Sequence, residues 1–256
     1  MTQPRMIQIE CLRYHPETDS EPHWQTFDVP FTDDMSVLQG LQHIKDTLDG
    51  SITFRWSCRM AICGSCGMMI NGVPHLSCET FLRDFYPGPV RVEALENMPI
   101  QRDLAVDQSR FLKALQSITP YIVATQESTS PTPAVPAAPA LATNQSPARM
   151  AAYYQYSQCI NCLLCYAACP QVGLNENFAG PAALTLMHRY NNDPRDAGWA
   201  VRSELANSND GVWGCTLVGY CSEVCPKGID PAHAVNQNKI HSAFDYTGLK
   251  TLLEKK

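Results

Sequence analysis

The stretch "RWSCRMAICGSCGMMINGVPHLSC", Arg55 to Cys78, decides how the rest of the chain is read. It sets Cys58, Cys63 and Cys66 at C-x4-C-x2-C, with Cys78 after eleven more residues. This loop spacing is that of plant-type 2Fe–2S sites, where two irons bridged by two sulfides need two thiolates each. Structural zinc, the rival, usually pairs two C-x2-C knuckles and fits the longer Cys58–Cys63 step poorly. Gly64 and Gly67 suit a chain that wraps a cluster, since glycine permits close backbone approach and positive φ.

Around this loop the pattern is that of a small α+β domain. "MIQIECLRY" puts Ile7, Ile9 and Cys11 on one strand face. Cys11 lies far from any ligand spacing and reads as core. "HWQTFDVP" is expected to be a second strand ending at Pro30, and "SITFRW" a third. Between them Val37, Leu38, Leu41, Ile44 and Leu48 recur at helical spacing, with Asp34 or Ser36 as cap. Asn71-Gly72 between apolar runs marks a hairpin, and "VRVEAL" closes the domain near residue 105. A helix ending before Pro120 and a Pro/Ala-rich linker fill 106–147, the linker reading as an extended surface connection. Residues 148–256 are helical in pattern, with "GPAALTLMHRY" and "GWAVRSELA" as amphipathic stretches. Asp230 is the expected cap of a last helix that has Pro231 at its first position.

Two more cysteine runs lie in that helical half. Cys159, Cys162, Cys165 and Cys169, followed by Pro170, match the bacterial motif C-x2-C-x2-C-x3-C-P in full. "CTLVGYCSEVCP", Cys215 to Pro226, repeats the frame with Val218 at the second position. In two-cluster ferredoxins the fourth cysteine of each run ligates the other cluster. Applied here, Cys159, Cys162, Cys165 and Cys225 make a 4Fe–4S set. Cys169, Cys215 and Cys221 make a set of three, one thiolate short of a cubane, for which 3Fe–4S is the expected product. Apolar Val218 is expected to keep water from the open corner.

Bulk properties narrow the function. The 256 residues carry twelve cysteines and a formal net charge of −6. This balance excludes a basic nucleic-acid binder. Disulfides are the alternative use of so many cysteines, but the N-terminus has no secretion-signal pattern and a chain this long needs no staples. No apolar run approaches the ~20 residues that span a bilayer. No phosphate-cradling loop, nucleophile elbow or telling carboxylate pair stands out. Three centres in one chain read as a wire between two other sites.

"RWSCRMAICGSCGMMINGVP", "CINCLLCYAACP" and "WGCTLVGYCSEVCPKGIDP" resemble the iron–sulfur subunit of succinate dehydrogenase and fumarate reductase over nearly the whole chain, the linker excepted. The resemblance implies an α+β, plant-ferredoxin-like β-grasp domain followed by an all-α, bacterial-ferredoxin-like domain. It implies an electron-transfer subunit whose fumarate site lies on another chain, with 2Fe–2S, 4Fe–4S and 3Fe–4S clusters in series. The partners it implies are an FAD flavoprotein, membrane-anchor subunits and a quinone, here menaquinone, on the cytoplasmic face of the bacterial inner membrane. Many succinate dehydrogenases carry His after the first cysteine of the third run and Trp shortly after the second; here stand Thr216 and "CPQVGLNENF". Both departures resemble quinol:fumarate reductase, and the same subunit working as a succinate dehydrogenase is the alternative. Lys239 matches the family's quinone-side lysine, although a solvated helical lysine is the commoner fate of such a residue. Arg55 and Arg59 beside Cys58 are open between tuning its potential, docking the flavoprotein and plain surface charge. A structural metal or disulfide module, and a subunit serving a different flavoprotein, are the competing functions.

Overall fold

The computed structural model describes residues 5–123 and 145–246, so most of the expected linker lies outside the described residues. The chain forms two compact units. One comprises Met1–Ser109, Ile160–Gly173 and Glu223–Pro226, the other Arg110–Cys159, Leu174–Ser222 and Lys227–Lys256.

In the first unit, β1 (Arg5–Arg13) pairs antiparallel with β2 (His23–Phe31). Pro30 is an interior residue of β2, not its end. It is tolerated because β2 is an edge strand, where a residue without an N–H need not break a ladder. A five-stranded mixed sheet follows in the order β2-β1-β5-β3-β4, with β5 (Val90–Glu93) parallel to β1. The β3–β4 hairpin (Gly67–Ile70, Val73–Leu76) turns through Asn71 at φ 48° and Gly72 at φ 79°. Both left-handed positions are what a two-residue hairpin turn demands. Helix α1 (Val37–His43) starts at Ser36, the better of the two caps, with a reciprocal bond to Gln39. A π-type turn, Ile44–Leu48, extends it. Val37, Leu41 and Ile44 join Ile7, Ile9, Cys11, Val90 and Val92 in one core.

The expected strand at "SITFRW" does not form. Its backbone finds a carboxylate instead: Thr53 N–H donates to Asp103 Oδ2 at 2.8 Å, and Thr53 C=O accepts from Leu104 N–H at 3.1 Å. Asp103 follows β6 (Ile100–Arg102), which pairs with the short β7 (Ala105–Val106). The buried Arg13 guanidinium bonds the other Asp103 oxygen at 3.0 Å and Asp49 at 2.8 Å, tying three loops together. Two short helices, α4 (Leu164–Ala167) and α5 (Pro170–Leu174, up to Gly173), also belong to this unit.

The second unit holds α2 (Ser109–Ser117, from Arg110 on), α3 (Pro147–Tyr154), α6 (Pro181–Asn191), α7 (Trp199–Ala206) and α9 (Pro231–Tyr246). Between the last two, α8 (Tyr220–Glu223) carries Cys221. Asp230 caps α9 as expected, accepting from His233 N–H at 2.9 Å. Helix α6 is not one-sided. From Pro181 to His188 only Leu186 escapes burial, because α3, α7 and α9 pack around it. None of the helices among the described residues is long and apolar enough to cross a membrane.

Burial of His188 against the Tyr156 ring, 4.8 Å away, holds its imidazole down at about 4. A folded value below the ordinary 6.5 means that the unfolded chain takes up this proton first. The stability this neutral ring contributes is therefore present above pH 6.5 and lost as pH falls towards 4. Between pH 6.5 and 5 the loss is about 2 kcal/mol. Chemical unfolding across that range is expected to show the slope, and His188→Gln to flatten it; equal slopes would remove His188 as the cause.

Candidate metal centres

The first loop is built to face sulfur. Arg59, Ala61 and Gly64 have φ of 60°, 56° and 71°, so the backbone reverses repeatedly and turns its N–H groups inward. Met60, Ile62 and Cys63 N–H donate to Cys58 Sγ at 3.3–3.4 Å. Cys58 and Ser65 N–H donate to Cys63 Sγ at 3.4 and 3.5 Å, and Ala61 N–H to Cys78 Sγ at 3.3 Å. Such donors favour thiolate over thiol and tune the potential of a bound cluster. Burial acts to raise the Cys63 thiol. The N–H groups of Cys58 and Ser65, with their side chains, outweigh it and hold it at about 6. Burial, then the Cys66 sulfur, pushes Cys78 up to about 12.

The thiols gather in two pairs, Cys58 with Cys63 and Cys66 with Cys78, each in side-chain contact. Two pairs suit a centre of two irons, each needing two thiolates. Among the described residues no group of three or more His, Cys, Asp or Glu is drawn together tightly enough to chelate a single ion. Cys11 stands apart, fully buried on β1, its thiol pushed up to about 12 by burial. Arg59 is exposed and stacks over Trp56 at 4.4 Å; Arg55 is exposed too.

The second run lies against this loop. A Cβ on Gly64 would stand 2.7 Å from Ile160 O and 2.9 Å from Cys162 Cα, and one on Gly67 2.9 Å from Cys162 O. The two glycines that flank Cys66 thus let one cysteine loop rest on the other. Segment Glu223–Pro226, with Cys225, belongs to the same unit as Ile160–Gly173, with Cys162, Cys165 and Cys169.

The second and third runs share one backbone plan. Asn161 and Leu163, at φ 54° and 68°, flank Cys162; Leu217 and Gly219, at 58° and 93°, flank Val218. A four-residue helix follows each, α4 with Cys165 and α8 with Cys221 at its second position. Leu217 N–H donates to Cys215 Sγ at 3.3 Å. Val218 therefore stands in the third run where Cys162 stands in the second, on the same backbone pattern. It is 48 % exposed on this chain, so any exclusion of water there needs a neighbour.

Lys239, on α9, reaches this third loop: its Nζ donates to Cys215 C=O at 2.6 Å and lies 5.6 Å from the Trp213 ring centre. Trp213 Nε1 donates to Ser242 Oγ at 2.9 Å, which fastens the loop to α9 a second time. The sequence assigns no role to Trp213, although a tryptophan two residues before a cysteine run is a visible signal. Thr216 is exposed beside Cys215.

Comparison with known proteins agrees with these loops. Residues 8–113 match the family model of a 2Fe-2S iron-sulfur cluster binding domain, and residues 155–229 that of a 4Fe-4S dicluster domain. A fumarate reductase iron-sulfur subunit from Haemophilus influenzae is 53 % identical over 96 % of this chain and 96 % of its own length. The chain belongs to the family of fumarate reductase and succinate dehydrogenase iron–sulfur subunits. A succinate dehydrogenase iron-sulfur subunit of that family, from Coxiella burnetii, is 34 % identical over 90 % of this chain and 94 % of its own. A solved structure, "Mycobacterium smegmatis Sdh1 complex in the apo form", superposes with a TM-score of 0.81 at 25 % identity, covering 94 % of this chain and 97 % of that one. The α+β domain with a helical ferredoxin-like region is the architecture that family predicts, and the 2Fe–2S and 4Fe–4S domains are both present.

Proposed function

We propose that this chain is the electron-relay subunit of a quinol:fumarate reductase. The observation that supports it is the pair of matched loops around Cys162 and Val218, one with cysteine and one with valine at the same place on the same backbone. Cys58, Cys63, Cys66 and Cys78 would hold 2Fe–2S; Cys159, Cys162, Cys165 and Cys225, 4Fe–4S; Cys169, Cys215 and Cys221, 3Fe–4S. The bound clusters supply one-electron transfer between a flavin and a quinone. The protein's part is to place them: backbone N–H groups neutralise the thiolates of the first loop, and Gly64 and Gly67 bring it onto the second.

The ends of the relay carry exposed apolar groups suited to partners. Trp56, Met60 and Ile62 surround the first loop, where an FAD subunit would dock, and Arg59 over Trp56 adds charge to that surface. Trp213, Leu217, Val218 and Tyr220 surround the third, where membrane-anchor subunits would cover them and bring the quinone, menaquinone in this reading. Attachment through such anchors would keep the chain peripheral on the cytoplasmic face of the bacterial inner membrane. Thr216, the absence of Trp after Pro170 and the greater identity to the fumarate reductase relative favour reduction of fumarate over oxidation of succinate. The test is the assembled complex: stepwise redox titration should show three centres, the 3Fe signal in the oxidised state. Quinol-driven fumarate reduction should outpace succinate oxidation; two centres only, or the opposite ratio, defeats the reading in its first or second half.

Lys239 is proposed on the quinone side. Its ammonium, held at the Cys215 carbonyl, can also donate to a quinone oxygen as negative charge develops there. Lys239→Leu is expected to cut quinol oxidation at least tenfold while fumarate reduction from an artificial donor stays near the parent rate. Equal loss in both assays, or none in either, argues against the role.

A further inference from the structure

Asn97 lies in the segment between β5 and β6, outside every cysteine run, in the left-handed region at φ 62°. Asparagine tolerates that conformation better than most residues. Its carboxamide Nδ2 donates to three carbonyls of the second run: Tyr166 at 3.1 Å, Ala167 at 2.9 Å and Cys169 at 3.2 Å. Tyr166 and Ala167 close α4, which carries Cys165; the Tyr166 carbonyl also accepts from Cys169 N–H at 3.2 Å and the Cys169 carbonyl from Val172 N–H at 3.1 Å, so Asn97 adds a side-chain donor to a turn that the backbone already closes. A Cβ on Gly173 would collide with Asn97 Oδ1, so glycine there makes room for the carboxamide. A side chain from one end of the sheet domain thus ties the end of α4 to a cluster cysteine.

We propose that Asn97 is a positioning residue for electron transfer. By holding the Tyr166, Ala167 and Cys169 carbonyls it fixes where the Cys169 sulfur stands and offsets the negative ends of three dipoles near the centre that Cys169 ligates. Reduction adds negative charge to that centre, so losing the donor disfavours reduction. The assignment of Cys169 to the 3Fe–4S set rests on the proposed function; the three hydrogen bonds do not.

Asn97→Gly removes the carboxamide and keeps a backbone at home at φ 62°. Gly173→Ala keeps the carboxamide and pushes it from its seat. Both are tested in the assembled complex, by redox titration with electron paramagnetic resonance and by counting spins for each centre. The expected result in each is a shift of the Cys169 centre to more negative potential, with the 2Fe–2S potential unchanged and the spins of every centre retained. A merely structural role would instead lower spin counts or stability with the potentials in place, and that outcome overturns the proposal, as do parent potentials in both variants. If one variant fails to assemble, the other decides. Absence of a 3Fe signal in the parent complex would refute the ligand assignment alone, and the shift would then be read on the cubane signals.

Discussion

On the proposed ligand assignment, Val218→Cys is expected to turn the third centre from 3Fe–4S into 4Fe–4S. The oxidised-state 3Fe signal should vanish, and a reduced-state cubane signal should take its place. The backbone needs no rebuilding, since Leu217 and Gly219 already flank position 218 with the left-handed turns that flank Cys162. The exchange removes little volume, and near-isosteric swaps of this kind usually cost less than about 1.5 kcal/mol. The position is half exposed on this chain, which lowers that cost further. The functional effect is far larger. The three-iron cluster is all-ferric when oxidised and accepts an electron more readily than the mixed-valence cubane that a fourth thiolate and a fourth iron complete, and cluster type is among the terms that set potential. Every ~59 mV of fall makes one-electron reduction by the same quinol tenfold less favourable. Quinol-driven turnover should therefore drop steeply, while flavin-side reduction of fumarate from an artificial donor persists. A 3Fe signal that survives anaerobic reconstitution of Val218→Cys would show that the missing thiolate is not what limits the centre to three irons.

The parts of this protein that were legible in the sequence are those whose partners are close along the chain. The cysteine loops follow from spacing because a cluster loop is a local object, and the Asn71-Gly72 hairpin follows from two residues that accept positive φ. The Asp230–Pro231 helix start follows from a cap and the residue after it. The stretch "SITFRW" has the composition of a strand but does not form one, because its backbone is partnered by Asp103, fifty residues on, and not by a neighbouring strand. Helix α6 was expected to show one apolar face; three helices close around it, and its polar His188 and Thr185 are buried with the rest. Asn97 gave no signal for the same reason as Asp103. Its three acceptors lie about seventy residues away, and nothing in its own surroundings marks an asparagine as a helix-end donor. Lys239 was found through resemblance, but its bond to the Cys215 carbonyl belongs to the fold alone.

Arg202→Met should destabilise the helical unit by ~3–5 kcal/mol, the range for removing one partner of a buried ion pair. Arg202, on α7, is fully buried, and its pair with Asp196 is 0 % and 1 % exposed. The contact is bidentate, Nη1 to Oδ1 at 2.6 Å and Nη2 to Oδ2 at 3.0 Å. Nη1 also donates to Asn191 Oδ1 at 3.2 Å, and other donors go to backbone: Nε to Ile118 C=O at 2.9 Å, and Nη2 to Thr119 and Tyr121 C=O at 3.0 and 2.8 Å. These carbonyls belong to the chain leaving α2. Val123 continues the attachment, its N–H donating to Asp196 Oδ2 and its C=O accepting from Ala197 N–H. Methionine fills part of the volume but donates nothing, so the buried carboxylate keeps the Val123 and Gly198 N–H groups but loses its counter-charge, and Asn191 Oδ1 and three carbonyls lose their bonds to the guanidinium with it. Domains hold only about 5–15 kcal/mol in all, so the loss is a large fraction of it. Denaturant unfolding followed through cluster absorbance should show a midpoint far below that of the parent. Asp196→Asn should also be severe, because it leaves the guanidinium buried without its counter-charge. The double variant should then cost less than the two single losses added, since the second substitution removes a group the first has already stranded. Additive losses would mean that the pair is not the unit that holds residues 118–123 to the helices.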